Sequence, residues 1–263
     1  LHRTYGTIDG YVKPSERMQG SIMSLSNTGG AGRGNNKSDL VGQVILHGKK
    51  KYWGRGANYH YHTTLAAGEN TLEASLVRVM LKTLAGSPAQ ATVQDKLHAF
   101  RDKYVTFMTT PGTHNDAYAS TCHRMFFANR EKGLALDECP DNDHHNVDSM
   151  DALTLAVPMI LHLFAQGASD EAIKQSAFQT IQITRGVSPS FEGYSSALSS
   201  LLLNVLRGED VRASVELCAD EALGRGAGAK IRQSVASGQG DPMVACYIDS
   251  GFPAMLFMVH KYA

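Results

Sequence analysis

An all-α protein is predicted by three observations. Apolar residues recur at helical spacing in one window after another, and no window sustains the alternation of a half-buried strand. The residues between windows are those that cap and stop helices. Leu72, Leu76, Val79, Met80 and Leu84 form a first face, ended by Gly86-Ser87-Pro88. Val93, Leu97, Phe100, Tyr104, Val105 and Met108 form the next, with Thr92 as its cap and Pro111-Gly112 beyond its end. Asp116 to Asn129 reads as helical, with Tyr118, Cys122, Met125 and Phe126 on one side. Ser149 to Phe164 is almost wholly apolar, which predicts a helix buried all round at the centre of the bundle. Ser169 and Asp170 open a helix running through Ile183, followed by Ser195 to Val205 and Val211 to Leu223. The apolar tail Phe252 to Tyr262 is the last, with Ser250 as N-cap and Pro253 in the first turn. The total is about eight to ten helices and no sheet.

The first 60 residues read differently. Gly, Asn, Ser and Lys cluster in Ser26 to Ser38, the composition of a loop. The run Gly29-Gly30-Ala31-Gly32-Arg33-Gly34 lacks the preceding strand and the Lys-Ser/Thr that a phosphate cradle needs. Gly224-Arg225-Gly226-Ala227-Gly228 reads as a helix stop and a turn.

At 263 residues the chain is expected to form one domain, 1–263, with an irregular segment 1–60. A hydrophobic content of 43% with 19% charged residues is that of an ordinary globule with a core. Twenty-five basic and 25 acidic residues give a formal net charge of zero, so no global field favours nucleic acid or an anionic membrane. Lys49-Lys50-Lys51 with Arg55 reads as a solvated turn. The four cysteines, Cys122, Cys139, Cys218 and Cys246, are widely spaced, as expected of a reduced compartment rather than a disulfide framework. No apolar run reaches 18 residues and no signal peptide stands at the visible start, so the expectation is a cytoplasmic protein with no membrane partner.

Eleven histidines raise the question of zinc, densest in Tyr59-His60-Tyr61-His62, His114-Asn115-Asp116 and Asp143-His144-His145. None shows the one-turn spacing of a His-Glu-x-x-His helix, and His60 and His62 are as well placed to hydrogen-bond Glu69. No Gly-x-Ser-x-Gly marks a serine nucleophile. More informative are two oxygen-rich helix mouths: Gly68-Glu69-Asn70-Thr71 before Leu72, and Cys246-Tyr247-Ile248-Asp249-Ser250 before Phe252. Oxygen donors at two such places suit a hard cation. A third polar concentration, Asp141 to Asp148, leads into the central apolar run.

These words, with His145-Asn146-Val147-Asp148-Ser149-Met150-Asp151-Ala152-Leu153, resemble the ADP-ribosylglycohydrolase superfamily, and within it the J1-crystallin-like branch, over about residues 40–263. The resemblance implies a single orthogonal multi-helix bundle. It also implies magnesium held by Glu69, Asn70, Thr71, Asp249 and Ser250, with Glu69 and Asp249 as the catalytic carboxylates. His114, Asn115, Asn146 and Asp148 would bind the ligand, ADP-ribose or a related nucleotide, whose ribose hydroxyls and diphosphate magnesium orients in that family.

The departures matter as much as the match. Active members of the family carry Asp-Asp-Thr at the first site and Asp-x-Asp-Thr/Ser at the second, holding two magnesium ions. Glu69 and Asn70 stand where the two aspartates of the first site would be, and Tyr247 replaces the first aspartate of the second. The family's N-terminal Gly-Asp-Ala segment has no counterpart in the sequence. Two of four carboxylates are thus missing, so the expectation is at most one magnesium ion, or none. Two readings stand: a degenerate site in a protein kept for a structural or ligand-binding role, and an active magnesium-dependent hydrolase cleaving ADP-ribosyl linkages.

Overall fold

A computed structural model describes residues 44–53, 60–242 and 246–263. The predicted loop Ser26 to Ser38, its glycine run, Arg55 and Tyr59 lie outside the described residues. All regular structure among the described residues is helical, and an isolated β-bridge pairs Ser149 with Tyr247. The chain separates into two compact units, Leu1–Val147 and Asp148–Ala263. No described helix is long and apolar enough to cross a membrane.

Among its described residues the first unit contains a short 3-10 turn, Lys49–Trp53, and three helices: α1 (Leu72–Ala85), α2 (Val93–Thr109) and α3 (Thr121–Glu131). Thr71 caps α1 by accepting from Ala74 N, and Leu72, Leu76, Met80 and Leu84 turn inward four residues apart. Thr92 and Asp95 make a reciprocal capping box at the start of α2. α1 packs on α2. α2 and α3 are joined by a knot of rings, with Tyr104 at 5.1 Å from Phe126 and 5.5 Å from Phe127. α3 starts at Thr121, later than its apolar pattern predicts. The cause is Asp116, whose carboxylate accepts from Tyr118 N and, over a long range, from Leu72 N, which holds residues 115–120 out of a helix.

The second unit holds α4 (Asp151–Thr154), α5 (Ala156–Ala165), α6 (Asp170–Gln182), α7 (Pro189–Leu206), α8 (Val211–Leu223), α9 (Ala227–Ala236) and α10 (Ile248–Tyr262). The continuous helix expected from Ser149 to Phe164 is broken at Leu155. Pro158 has no N–H to offer the Thr154 carbonyl, which interrupts the ladder there. Nor is that segment the centre of the unit, since Leu161 is 39% exposed. The hub is α7, which packs against α4, α5, α6, α8 and α10. It begins at Pro189, a preset first helical residue that the apolar pattern from Ser195 onward does not reveal. α9, not distinguished in the sequence, buries only Gly228 of its ten residues.

The glycines of α7 and α9 differ sharply. A Cβ on Gly228 would meet the Glu216 carbonyl oxygen at 2.4 Å, whereas one on Gly193 would meet nothing within 4 Å. Gly193→Ala is therefore expected to stabilise the protein by about 0.5–1 kcal/mol, the helix-propensity gain. Gly228→Ala should lose that gain and a further 1–3 kcal/mol, roughly, by forcing α8 and α9 apart. Thermal melts of the two variants should shift in opposite directions.

Candidate functional site

The site residues named from sequence divide between the units. Glu69, Asn70, Thr71, His114, Asn115 and Asn146 belong to the first, and Asp148, Asp249 and Ser250 to the second.

In the first unit Glu69 and Asn115 meet. Glu69 Oε2 accepts from Ala66 N at 2.8 Å and from Asn115 Nδ2 at 3.1 Å. These two bonds, the Ala66 N–H first, hold the Glu69 carboxyl below its ordinary pKa range. Asn115 also donates to the Thr64 carbonyl, and its own carbonyl accepts from Thr64 Oγ1. Thr71 is engaged as the cap of α1, while Asn70 is exposed. His114 points away from this corner, into the fold, and its Nε2–H donates to Ile45 O at 3.0 Å. Burial, only partly offset by that bond, pushes its pKa down to about 4.

His62 does not bond Glu69, the partner its spacing suggested. Its Nδ1 lies 2.9 Å and 3.0 Å from the two Asp116 oxygens, and Asp116 is fully buried. A fully buried carboxylate must be met by donors, and Asp116 outcompetes the exposed Glu69 for the imidazole. Tyr61 and Tyr118 stack edge-on beside it at 4.8 Å. A second polar knot lies under α1. His123 Nε2–H donates to Glu73 Oε1 at 2.9 Å, its Nδ1 lies 2.8 Å from the Tyr104 hydroxyl, and Ser120 Oγ donates to the same Glu73 oxygen.

The segment from Asp141 to Val147 is organised by itself. Asp143 accepts from Asn146 Nδ2 at 2.8 Å, Val147 N at 3.1 Å and His145 N at 3.2 Å. Partial burial pushes the Asp143 pKa up, but these donors outweigh it and the net shift is downward. Asn146 is thus a loop tie.

In the second unit the α10 mouth differs from the expectation. Ser250 is not the N-cap. Tyr247 takes that position, Asp249 and Ser250 fall in the first turn, and Pro253 lies inside the helix. The reason is the bridge to Ser149: Met150 N donates to Cys246 O at 2.8 Å and Ile248 N to Asp148 O at 3.0 Å, which fixes the chain before the helix starts. Ser250 Oγ donates to the Tyr247 carbonyl, and the exposed Asp249 accepts from the Tyr194 hydroxyl at 3.1 Å. Burial first, then Asp249, push the Tyr194 phenol up to about 12. Asp148 accepts from Ser188 Oγ at 3.0 Å.

Sequence reasoning missed Arg185. Its side chain is fully buried and donates to Asp151 Oδ2 at 2.6 Å, while Asp151 also accepts from Ser149 Oγ. The segment that leads from α6 to α7, Ile183 to Ser188, is mixed in polarity and does not announce that its arginine is buried. Among the described residues no group of three or more His, Cys, Asp or Glu is placed to hold a metal ion. No family model, curated protein or solved structure matches the chain significantly.

Two outcomes follow from this geometry. Asp151→Asn should cost about 3 kcal/mol by removing the carboxylate charge that faces the buried Arg185 guanidinium, and Asp151→Asn with Arg185→Met should recover much of it in denaturant titrations. Asp143→Ala should cost about 1–3 kcal/mol at pH 7 through lost hydrogen bonds. The folded Asp143 carboxyl titrates below its ordinary 3.8, so its contribution is present above that pH and lost as pH falls through the lower folded value. The stability gap between wild type and Asp143→Ala should accordingly close on acidification.

Proposed function

We propose that this chain is an ADP-ribosylglycohydrolase-like protein whose metal site has degenerated and whose role is to bind a ligand of the ADP-ribose class, or to serve structurally, without turnover. The observation that carries the reading is the state of the α1 mouth. Its exposed carboxylate, Glu69, has Oε2 committed to Ala66 N and Asn115 Nδ2, and its neighbour Asn70 is uncharged. What remains there is Glu69 Oε1 with the neutral oxygens of Asn70 and Thr71. Magnesium is ordinarily held by one or two carboxylates and completes its shell with water. These residues fit a single, weakly held ion and lack the negative charge that a close pair of ions needs. Bound there, the ion would polarise an oxygen of the ligand. Glu69 Oε2, fixed by its two donors, would set the direction in which Oε1 points.

The engagement of Asp249 with Tyr194 and of Ser250 with the Tyr247 carbonyl supports the same reading, since both act within α10 and its neighbour α7. Isothermal titration with magnesium, then with ADP-ribose in its presence, is the direct test, paired with an assay for release of ADP-ribose from a modified peptide. Expected are at most one magnesium ion per chain, weakened at least tenfold in Glu69→Gln, and no multiple turnover. Magnesium-dependent turnover, lost in Glu69→Gln, would establish the active hydrolase instead.

A further inference from the structure

His47 and His114 face each other in the first unit, their ring centroids 5.2 Å apart and their planes tilted by 52°. His114 is buried, its Nε2–H is spent on the Ile45 carbonyl, and its Nδ1 is buried with no hydrogen-bond partner. Both ring nitrogens of His47 are buried and unpartnered as well. As neutral rings the two are tolerated. As cations they would set two desolvated charges against each other and add N–H groups that no acceptor meets. The groups around them give little relief. Lys49 opposes protonation of both rings, and Asp116 favours that of His114. Asp116, however, already receives His62, Leu72 N and Tyr118 N. Lys49 in turn faces Asp116 and Glu69, and His60 faces His62 and Asp116. From α2 the neighbour is apolar, the Phe107 ring at 5.7 Å from His114.

The pair sits at a seam. His47 belongs to the segment 44–53, which buries Ile45 and Leu46 completely, and His114 belongs to the connection from α2 to α3. The bond from His114 Nε2–H to Ile45 O, 3.0 Å long, crosses the seam beside the two rings. His47 holds a φ of 50°, a left-handed conformation that a residue with a side chain keeps only while its surroundings impose it. We infer that His47 and His114 form an acid-sensitive latch, which holds the segment 44–53 on the α2–α3 connection at neutral pH and releases it on acidification. The sign follows from burial. Burial first, then Lys49, hold the His47 pKa below 6.5. Burial, partly offset by the Ile45 carbonyl, brings that of His114 down to about 4. Above pH 6.5 the rings are neutral whether the segment is docked or released, so they contribute no pH dependence. Below it the released rings take up protons that the docked rings refuse. Release then becomes easier by up to about tenfold per pH unit for each ring, and for His114 this continues down to about pH 4. The latch requires no ligand at the α1 mouth.

Amide hydrogen exchange of the whole chain, corrected for intrinsic rates and compared at about pH 7 and about pH 4.5, tests the latch. Protection across residues 44–53 is expected to fall by at least about tenfold on acidification, while that of α2 holds. His47→Asn and His114→Gln put neutral side chains in place of the two rings. Asparagine tolerates the positive φ of residue 47, and glutamine retains a donor for Ile45. Each variant should lose part of the acid response and the double variant nearly all of it. If the variants do not fold, the imidazole resonances of the wild-type chain decide: the rings of His47 and His114 should both titrate below pH 6.5, the ordinary histidine value. Four results overturn the latch. They are a segment unprotected at neutral pH or equally protected at both, an acid response that persists in the folded double variant, a loss of protection that includes α2, and either ring titrating at or above its ordinary value.

Discussion

The first unit depends on one buried carboxylate. Asp116 is fully enclosed, and its oxygens accept the first N–H of α1 from Leu72, the N–H of Tyr118 and the His62 imidazole. Each bond does a separate job. The first supplies a helix N-terminus with the acceptor it lacks and with negative charge at the positive end of its dipole. The second helps hold residues 115–120 out of a helix, and Asn115 reaches Glu69. The third anchors the histidine-rich segment before α1. A carboxylate so buried persists only because every donor is in place, which makes the path from residue 60 to residue 120 a single interdependent arrangement.

The second unit answers the same constraint with a cation. Arg185 lies just after α6, and Asp151 opens α4. Their pairing sets the start of the apolar α4–α5 stretch against the entry to α7. Ser188, the residue before that helix, binds Asp148. The polar groups near Asp148 thus serve the chain's own turns, and the hub they position is α7.

Helix identity was legible where capping chemistry and periodicity agree. Thr71, Thr92 and Ser169 each accept a hydrogen bond at the helix start that their residue type announces. The apolar faces of α1, α2, α6 and α8 follow from spacing alone. Legibility failed where a long-range bond overrode the local pattern. The Ser149–Tyr247 bridge moved the start of α10 ahead of Ser250, and Asp116 shortened α3. It failed also where packing is made by absence, as at Gly228, where a missing side chain lets two helices touch. Of the candidate site, Glu69 and Asn115 come together across a separation of 46 residues that the sequence did not bridge, whereas Asn146 and His114 turn to the loop and to Ile45. Nothing in the identity of an asparagine or histidine says which donor or acceptor it will meet. Asp116 and Arg185 are ordinary letters in the sequence and acquire their weight only through burial.

The bridge itself has a kinetic meaning. It joins residue 149, at the beginning of the second unit, to residue 247, close to its end, so the contact forms only when nearly the whole unit has been gathered into one loop. The entropy of closing so long a loop grows slowly with its length but is spent before the contact returns anything. Helices α5 to α8 are linked by short connections and pack on their sequence neighbours, an order of events that favours local assembly first. α10 is then the element of the unit that docks last. Until it docks, Phe252, Leu256 and Phe257, buried in the finished unit, remain in water together with the surface they will cover, which is the state in which such a chain is most exposed to aggregation.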